Sequence, residues 1–291
     1  MSSYSSPEPR ADAACLKVTV PSVLAKKRRG EKITCLTAYD FAFARLLDES
    51  GIDLLLVGDS MAMVASGYEN TLPISIEEML PAVRAVRRGA RRALVIADMP
   101  YGSYHVSREE TLRNALRFVK EAGAEAVKLE GGEERTDLVH ALVGAEIPVM
   151  GHLGLTPQSL HRMGGYRVQG KDEAAAQRLL QDAHALEGAG AFALVLEGIP
   201  RELAAQITAT VGIPTIGIGA GPDCDGQVLV IHDLLGLSAH PAPKFVRQYA
   251  DVGLVIRTAA EAFRQDVEAG SFPSDEESYH AAQSQIPSRA R

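Results

Sequence analysis

Short runs of aliphatic and β-branched residues alternate with longer helical patterns along most of the chain, and this alternation limits the fold more than any other feature. Repeated strand–helix units predict a parallel sheet covered by helices rather than a sandwich or a bundle. Several runs, LLLV and ALVIA among them, are apolar throughout, as expected of strands buried on both faces. We predict eight strands: Ile33–Thr37, Leu54–Val57, Ala93–Ala97, Ala126–Leu129, Pro148–Gly151, Phe192–Leu196, Pro214–Ile218 and Val228–Ile231.

Eight units in a chain of this length predict an α/β fold of the (β/α)8 barrel type. The chain has 291 residues, of which 46% are hydrophobic, which suits one barrel domain, although two smaller domains remain an alternative. Residues 1–17 and 272–291 are rich in polar residues, Ser and Pro, so we interpret them as tails. The predicted barrel domain therefore spans residues 18–271.

Two helix starts are marked by a serine that precedes a glutamate by three residues. Ser75 with Glu78 and Ser107 with Glu110 fit the capping box, in which each side chain satisfies a free backbone donor. Pro81 falls inside the first of these helices and removes a donor there, so we expect a kink. Only about nine residues separate the last two strands, so the helix between them must be a single turn or absent.

Charge and cysteine content exclude several classes of protein. The net charge is −7 without a basic stripe, so we expect no nucleic-acid partner. Cys15, Cys35 and Cys224 are too scattered for a disulfide framework or a zinc ribbon, which fits a reducing cytoplasm. There is neither the apolar core of a signal peptide nor a run of the ~20 apolar residues that span a bilayer. We predict a soluble cytoplasmic protein without a membrane partner.

Acidic residues stand at the carboxyl ends of three consecutive strands, where α/β barrels carry their chemistry. These are Asp59, Asp98 and Glu130. A carboxylate next to a buried strand needs a partner, and short carboxylates suit a hard cation such as Mg²⁺. The alternative is that these acids cap helices or pair with arginines.

Three further polar residues stand at strand ends. Lys128 shares a strand face with Glu130, so it can meet a substrate carboxylate; a Schiff-base lysine and a buried Lys–Glu ion pair remain alternatives. Glu197 ends an apolar run that would raise a carboxyl pKa, so it is the candidate base, or else an aid to the next helix start. His152 either donates to the substrate or is a core histidine.

Ten ordered segments between about Ile33 and Pro243 carry a family resemblance. They are LTAYD, VGDS, NTLP, ADMPYGSY, VKLEGG, GHLGLTPQS, GGYRVQG, LVLEGIP, IPTIGIGAG and DGQVLVIHDLLG. Together they resemble the ketopantoate hydroxymethyltransferase family. Pro81-Ala82 stands where the family often has an aromatic–His pair, and PYGSY stands where PFGSY is common. Neither departure touches the candidate metal or base residues.

The resemblance implies a (β/α)8 barrel of the phosphoenolpyruvate/pyruvate-like superfamily. It implies transfer of a one-carbon unit from 5,10-methylenetetrahydrofolate to 3-methyl-2-oxobutanoate, giving 2-dehydropantoate in pantothenate biosynthesis. It also implies a cytoplasmic homo-oligomer, commonly a decamer. By motif, the Mg²⁺ positions match Asp59, Asp98 and Glu130; the substrate contacts match Asp59, Ser60, Asp98, Lys128 and His152; and the proton acceptor matches Glu197.

Two other functions remain as alternatives. One is an Mg²⁺-dependent enolate-forming barrel of the phosphoenolpyruvate mutase or isocitrate lyase type, although the chain lacks the lyase-type segment KKCGH. The other is a non-catalytic binding barrel. That reading predicts the loss of at least one of Asp59, Asp98, Glu130 and Glu197, and all four are present.

Overall fold

Eight parallel strands form one closed barrel in which each strand pairs with its neighbours in sequence and β8 pairs with β1. This computed structural model describes residues 16–239 and 242–281. The predicted fold class is therefore confirmed. The strands are β1 (Ile33–Thr37), β2 (Leu54–Val57), β3 (Leu94–Asp98), β4 (Ala126–Glu130), β5 (Val149–Gly154), β6 (Ala193–Glu197), β7 (Thr215–Ile218) and β8 (Gly226–Leu229).

Two hydrophobic cores lie on the two faces of this sheet. Successive strand residues point to opposite faces, so every second residue faces the barrel interior. The inner core is filled by aliphatic side chains such as Leu94, Ile96 and Met150, and the outer core packs the sheet against the helices. Burial on both sides explains why the strands are apolar throughout.

Helices surround the barrel and cover its amino-terminal end. They are α1 (Val20–Arg29), α2 (Phe41–Glu49), α3 (Met61–Val64), α4 (Ile76–Gly89), α5 (Arg108–Lys120), α6 (Thr136–Gly144), α7 (Leu160–Met163), α8 (Glu173–Gly188), α9 (Arg201–Thr210), α10 (Ile231–Leu234) and α11 (Val252–Ala269). Short 3₁₀ turns occupy Glu133–Arg135, Pro157–Ser159 and Asp275–Glu277.

The predicted helix starts are confirmed, with one difference in detail. Ser75 and Glu78 form the reciprocal capping box of α4. At α5 the Ser107 side chain accepts from the backbone N–H of Glu110. The return bond from the Glu110 side chain is not among the bonds formed at that cap. Helix α4 runs on through Pro81 to Gly89, so the proline does not end it. No helix lies between β7 and β8 in this described stretch, as predicted.

Strands β1 and β2 match their predicted bounds, and β3, β4, β6 and β7 differ from them by one residue. Strand β5 begins one residue and ends three residues later than predicted. Pro148 and Pro214 precede β5 and β7 instead of starting them, and Asp98, Glu130 and Glu197 are the last residues of their strands. The prediction for the eighth strand, Val228–Ile231, was wrong by two residues. Ile231 instead starts α10, where its backbone N–H donates to Thr37 Oγ1 at 3.0 Å.

The amino-terminal end of the barrel is closed by α1 through buried ion pairs. Lys26 Nζ and Arg92 Nη2 lie 2.7 and 2.9 Å from the two carboxylate oxygens of Asp53, whose side chain is 3% exposed. Thr34 also donates to Asp53 from its backbone N–H and its hydroxyl group. Lys17 is attached to this end as well, 2.7 Å from Glu125. Of the predicted tails, residues 1–15 and 282–291 lie outside the described residues.

Helix α11 follows the barrel and presents apolar side chains to solvent. Leu254, Val255, Ile256 and Phe263 are each at least half exposed. Among the described helices, none is long and apolar enough to cross a membrane. The surface of α11 therefore remains without a packing partner within the described part of this chain.

We predict that Asp53→Asn lowers the free energy of unfolding by about 2 kcal/mol, because it leaves two partly buried cations without their counter-charge. Burial raises the pKa of Asp53, but bonds from Lys26, Thr34 and Arg92 outweigh burial and lower it. The stabilisation by ionised Asp53 is therefore fully present above the pKa of an unfolded aspartate. It is lost as the pH falls through the lower pKa of Asp53 in the folded protein. Urea unfolding at several pH values measures the difference.

The control is Glu31→Gln, which breaks an exposed pair with Arg29 and should leave the unfolding midpoint in place. Equal midpoints for the parent and Asp53→Asn at neutral pH would contradict a role for this ion pair in closing the barrel.

Candidate active site

Polar side chains replace the aliphatic inner core at the carboxyl end of the barrel. Asp98, Glu130 and Glu197 continue the inward-facing positions of β3, β4 and β6, two residues beyond Ile96, Lys128 and Val195. The same alternation aims Lys128 and, from β5, His152 at the interior. Asp59 follows β2 after Gly58. The fold thus brings the predicted metal, substrate and base residues to one mouth.

The acids of β2 and β3 lie side by side with the lysine of β4. Lys128 Nζ is 2.6 Å from Asp98 Oδ1, and both side chains are almost fully buried. The other oxygen of Asp98 accepts from the backbone N–H of Asp59 at 3.2 Å. Lys128 therefore pairs with Asp98, whereas the alternative of a Lys128–Glu130 pair is not what forms.

The His152 ring lies between two carboxylates. Its Nδ1 is 3.3 Å from Glu130 Oε1 and its Nε2 is 3.2 Å from Glu197 Oε2. Neither contact has hydrogen-bond geometry, so both ring nitrogens and Glu130 Oε1 are buried without a hydrogen-bond partner. A core histidine would be satisfied. The His152 ring instead makes two charge contacts with acids without well-aligned hydrogen bonds, so its bonding is incomplete.

Gln158 holds the acids in place, and the sequence analysis did not single it out. Its side-chain amide donates to Asp59 Oδ2 at 2.9 Å and to the carbonyl of Met99 at 3.0 Å, and its backbone N–H donates to Glu130 Oε2 at 3.0 Å. Tyr104 donates to its amide oxygen at 2.5 Å. The only hint of their role in the sequence is that Gln158 lies in the family segment LTPQS and Tyr104 in the family segment PYGSY.

Ser60 stands at the rim of the cluster, directly after Asp59, and is partly exposed. Its Oγ is 2.9 Å from the hydroxyl oxygen of Tyr39. Gly58 provides the space for this arrangement, since a Cβ there would lie 2.8 Å from Ser60 Oγ. Ser60 is thus placed where a substrate oxygen entering the mouth can reach its hydroxyl group.

Burial raises the pKa of the strand-end acids of the cluster, and neighbouring charges either add to this effect or oppose it. Burial and the negative charges of Asp98 and Glu130 raise the pKa of Asp59 well above its usual value. Burial also raises the pKa of Asp98, despite its contact with Lys128. The pKa of Glu130 would likewise be raised by burial, but His152 and Lys128 lower it overall. The acids therefore compete for too little positive charge.

The two basic residues are held in their charged forms by these acids. Burial would lower the pKa of Lys128, but Asp98, Glu130 and Asp59 outweigh burial and raise it. Burial and Lys128 would lower the pKa of His152, but Glu130 and Glu197 raise it to about 9. A lysine held as an ammonium ion does not suit the Schiff-base alternative.

The cluster has the charge and the donor atoms that suit a divalent cation. If all groups are ionised, four carboxylates face two cations, which leaves two negative charges in a buried space. In the described chain, no three His, Cys, Asp or Glu side chains are grouped tightly enough to enclose an ion by themselves. Mg²⁺ usually takes only one or two protein carboxylates and keeps water and substrate oxygens as its other ligands. The residues therefore fit such an ion.

The alternative roles for the acids find no support in the described residues. Asp59, Asp98 and Glu130 form no ion pair with an arginine within residues 16–239 and 242–281. Helix α5 is capped by the side chain of Ser107, and α3 starts after Ser60 without a side-chain cap bond, so neither Asp98 nor Asp59 caps these helices. Helix α9 starts at Pro200 without a side-chain cap bond, so Glu197 does not cap it.

Solved structures of similar shape share the fold. A phosphonopyruvate hydrolase complex with oxalate and Mg²⁺ is 15% identical, with a TM-score of 0.58, covering 89% of this chain and 92% of its own. A 2,3-dimethylmalate lyase of the PEP mutase/isocitrate lyase superfamily is 20% identical, with a TM-score of 0.57, covering 89% and 91%. At these identities the likeness supports the architecture alone.

Sequence relatives are much closer. The 3-methyl-2-oxobutanoate hydroxymethyltransferase of Koribacter versatilis is 63% identical over 264 residues, which cover 91% of this chain and 90% of that protein. The enzyme of the same name from Pelobacter propionicus is 54% identical, covering 91% and 98%. The profile of the ketopantoate hydroxymethyltransferase family matches residues 17–275. This chain belongs to the ketopantoate hydroxymethyltransferase family.

Proposed function

We propose that this protein is a 3-methyl-2-oxobutanoate hydroxymethyltransferase of pantothenate biosynthesis. It takes the one-carbon unit of 5,10-methylenetetrahydrofolate and yields 2-dehydropantoate and tetrahydrofolate. Family membership supports the reaction, and one structural observation supports the chemistry. That observation is the buried group of acids and bases at the barrel mouth, where Glu197 stands beside His152 and the Asp98–Lys128 pair.

The oxo acid binds among the polar side chains of this mouth. The ammonium group of Lys128 and the hydroxyl group of Ser60 are donors for its carboxylate and ketone oxygens. The His152 ring lies between Glu130 and Glu197 without well-aligned hydrogen bonds, so a small rotation would let it donate to an oxygen on which negative charge develops. In this proposal, Asp59 and Asp98 lie closest to the carboxylate and ketone oxygens of the bound oxo acid. Fixing the substrate in one pose removes much of the orientational cost of the reaction.

Asp59 and Asp98 would hold a divalent cation, with Glu130 contributing directly or through water. Mg²⁺ is the proposed ion, because the available ligands are carboxylate oxygens. When bound, such a cation supplies positive charge that withdraws electrons from the ketone and makes the neighbouring C3–H more acidic. Gln158 holds one oxygen of Asp59 and one of Glu130 by hydrogen bonds, which would orient these carboxylates for the ion.

Glu197 is the proposed base that removes the proton from C3. Its side chain is 16% exposed, so it can reach a substrate in the mouth while remaining out of bulk water. His152 contacts it from the opposite side at 3.2 Å and fixes the position of the carboxylate. A base positioned in this way contributes about 10²–10⁴-fold to proton transfer.

The bonds of the complete reaction balance with water as the third reactant. The C3–H bond and both C–N bonds of the methylene bridge break, and a C3–CH₂ bond forms. Water supplies the hydroxyl group on the new carbon. The remaining proton of water and the C3 proton end on the two nitrogens of tetrahydrofolate.

We extend the proposal to a cytoplasmic homo-oligomer, with a decamer as the expected size. The apolar side chains that α11 exposes, including Leu254, Val255 and Phe263, support association with further copies. The small-molecule partners are the two substrates.

We predict that Glu197→Gln slows C3 exchange about 1,000-fold, because an amide cannot accept the proton. The parent enzyme should exchange C3 hydrogen of 3-methyl-2-oxobutanoate for deuterium with Mg²⁺ and without folate, and should form 2-dehydropantoate once the folate is added. Proton NMR follows both reactions. Glu202→Gln, at an exposed position in the first turn of α9, is the matched control and should behave like the parent. Exchange by Glu197→Gln at the parental rate would remove Glu197 as the base.

We also predict that Lys128 forms no imine with the substrate, because three acids keep it charged. The enzyme is incubated with 3-methyl-2-oxobutanoate and cyanoborohydride, and its intact mass is measured. We expect the unmodified mass and full activity after removal of the reagents. A stable adduct on Lys128 would support the Schiff-base alternative instead.

A further inference from the structure

A cavity of about 460 Å³ opens beside the acid cluster, over the ends of β3, β4 and β5. Glu130 and Gln158 form one wall of it, so the cavity shares two residues with the site proposed for the oxo acid. Its volume lies within the range of small-molecule sites. Most of the remaining lining is aromatic or basic: Tyr101, Tyr104, His105, Arg135, His161 and Arg162, with Leu72, Gly131, Glu134 and Ser159 completing it.

Three adjoining rings, tilted against one another by 53° and 39°, form a platform along the cavity. The His105 ring lies 4.8 Å from the centre of Tyr101 and 4.2 Å from the centre of Tyr104. Partial burial and the charge of Arg135 lower the pKa of His105, so its ring is neutral. Its Nδ1 accepts from the backbone N–H of Gly102 at 3.2 Å, which leaves Nε2 as the hydrogen donor. Tyr101 is half exposed, so its face is open to a planar ligand.

Arg135 is a cation without an acidic partner at this cavity. Its guanidinium lies over the Tyr104 ring, 5.3 Å from the centre, and its Nε is buried without a hydrogen-bond partner. Within the described residues, Arg135 forms no ion pair. Arg162 and His161 line the same cavity and are exposed. A buried donor next to open cations is suited to a ligand that carries carboxylates.

We propose that this cavity binds the reduced pterin cosubstrate, an inference that rests on the proposed function. The flat pterin and aminobenzoyl rings stack on the platform of Tyr101, His105 and Tyr104. The glutamate carboxylates pair with Arg135 and Arg162. Glu130 and Gln158 line this cavity and also belong to the acid cluster, so a folate bound in the cavity would lie directly against the site of the oxo acid.

A neighbouring cavity of about 320 Å³ is the nearest competitor and supplies a matched control. It shares Gly131, Glu134 and Arg162 with the first, but its lining includes no aromatic residue and does not include Glu130. Arg178 and Leu179 of α8 form part of its wall. It therefore offers neither a stacking surface nor direct contact with the acid cluster.

The test separates folate binding from the chemistry at C3. Arg135→Gln and Tyr101→Ala should each raise the KM for methylenetetrahydrofolate about tenfold, the loss expected for one charge-assisted bond or one stacked ring. Both variants should keep the folate-independent C3 exchange within about twofold of the parent, because neither residue belongs to the acid cluster. Arg178→Gln should leave both quantities unchanged.

Three outcomes contradict the proposal. One is an unchanged KM in both cavity variants, another is a rise in KM with Arg178→Gln alone, and the third is a loss of C3 exchange that matches the loss of turnover. A parent enzyme that neither exchanges nor forms product would contradict the proposed function itself, so the two failures are distinguishable.

A binding measurement gives an independent readout. The chain contains no tryptophan, so Tyr101→Trp introduces a single fluorophore at the cavity. Tetrahydrofolate should quench its emission at concentrations near the KM of that variant, and Arg135→Gln in the same background should shift the quenching curve to higher concentration. Active Tyr101→Trp enzyme whose emission does not respond to saturating tetrahydrofolate would contradict the assignment.

Discussion

The confinement of four carboxylates with only two cations at the mouth of the barrel is the constraint on which the site depends. Acids removed from water need compensating charge, and here Lys128 and His152 supply only part of it. The remaining imbalance leaves the pKa of Asp59 raised and Glu130 Oε1 without a hydrogen-bond donor. A divalent cation would satisfy both deficits, so the resting cluster is already complementary to the proposed ion.

The rest of the fold keeps this cluster in register. The pairing of neighbouring strands determines which side chains lie at the same height along the barrel axis. Asp98 of β3 is paired with Lys128 of β4, and Glu130 of β4 is paired with His152 of β5. Gln158 then links Asp59 and Glu130, which come from different strands, through its side-chain amide and its backbone N–H respectively. At the other end, α1 and its buried ion pairs close the barrel. The two ends are therefore specialised, one for stability and one for chemistry.

Strand-level features could be predicted from sequence, because they depend on local pattern. Burial on both faces makes the strands apolar throughout, and the alternation of faces correctly placed Lys128 and Glu130 together. The eighth strand was misplaced because Val228–Ile231 is apolar whether it lies in the sheet or enters α10. Gln158 and the α1 ion pairs were missed because their partners are distant in sequence, and no local pattern reports such contacts.

Calorimetric titration of Mn²⁺ or Mg²⁺ tests the central claim most directly. We expect one ion per chain in the parent, and binding weakened at least about tenfold in Asp59→Asn and in Asp98→Asn. Asp233→Asn provides a control at the same end of the barrel, where this acid accepts from Ser238, and it should bind like the parent. Parental affinity in both Asp59→Asn and Asp98→Asn would contradict the account of the barrel mouth given above.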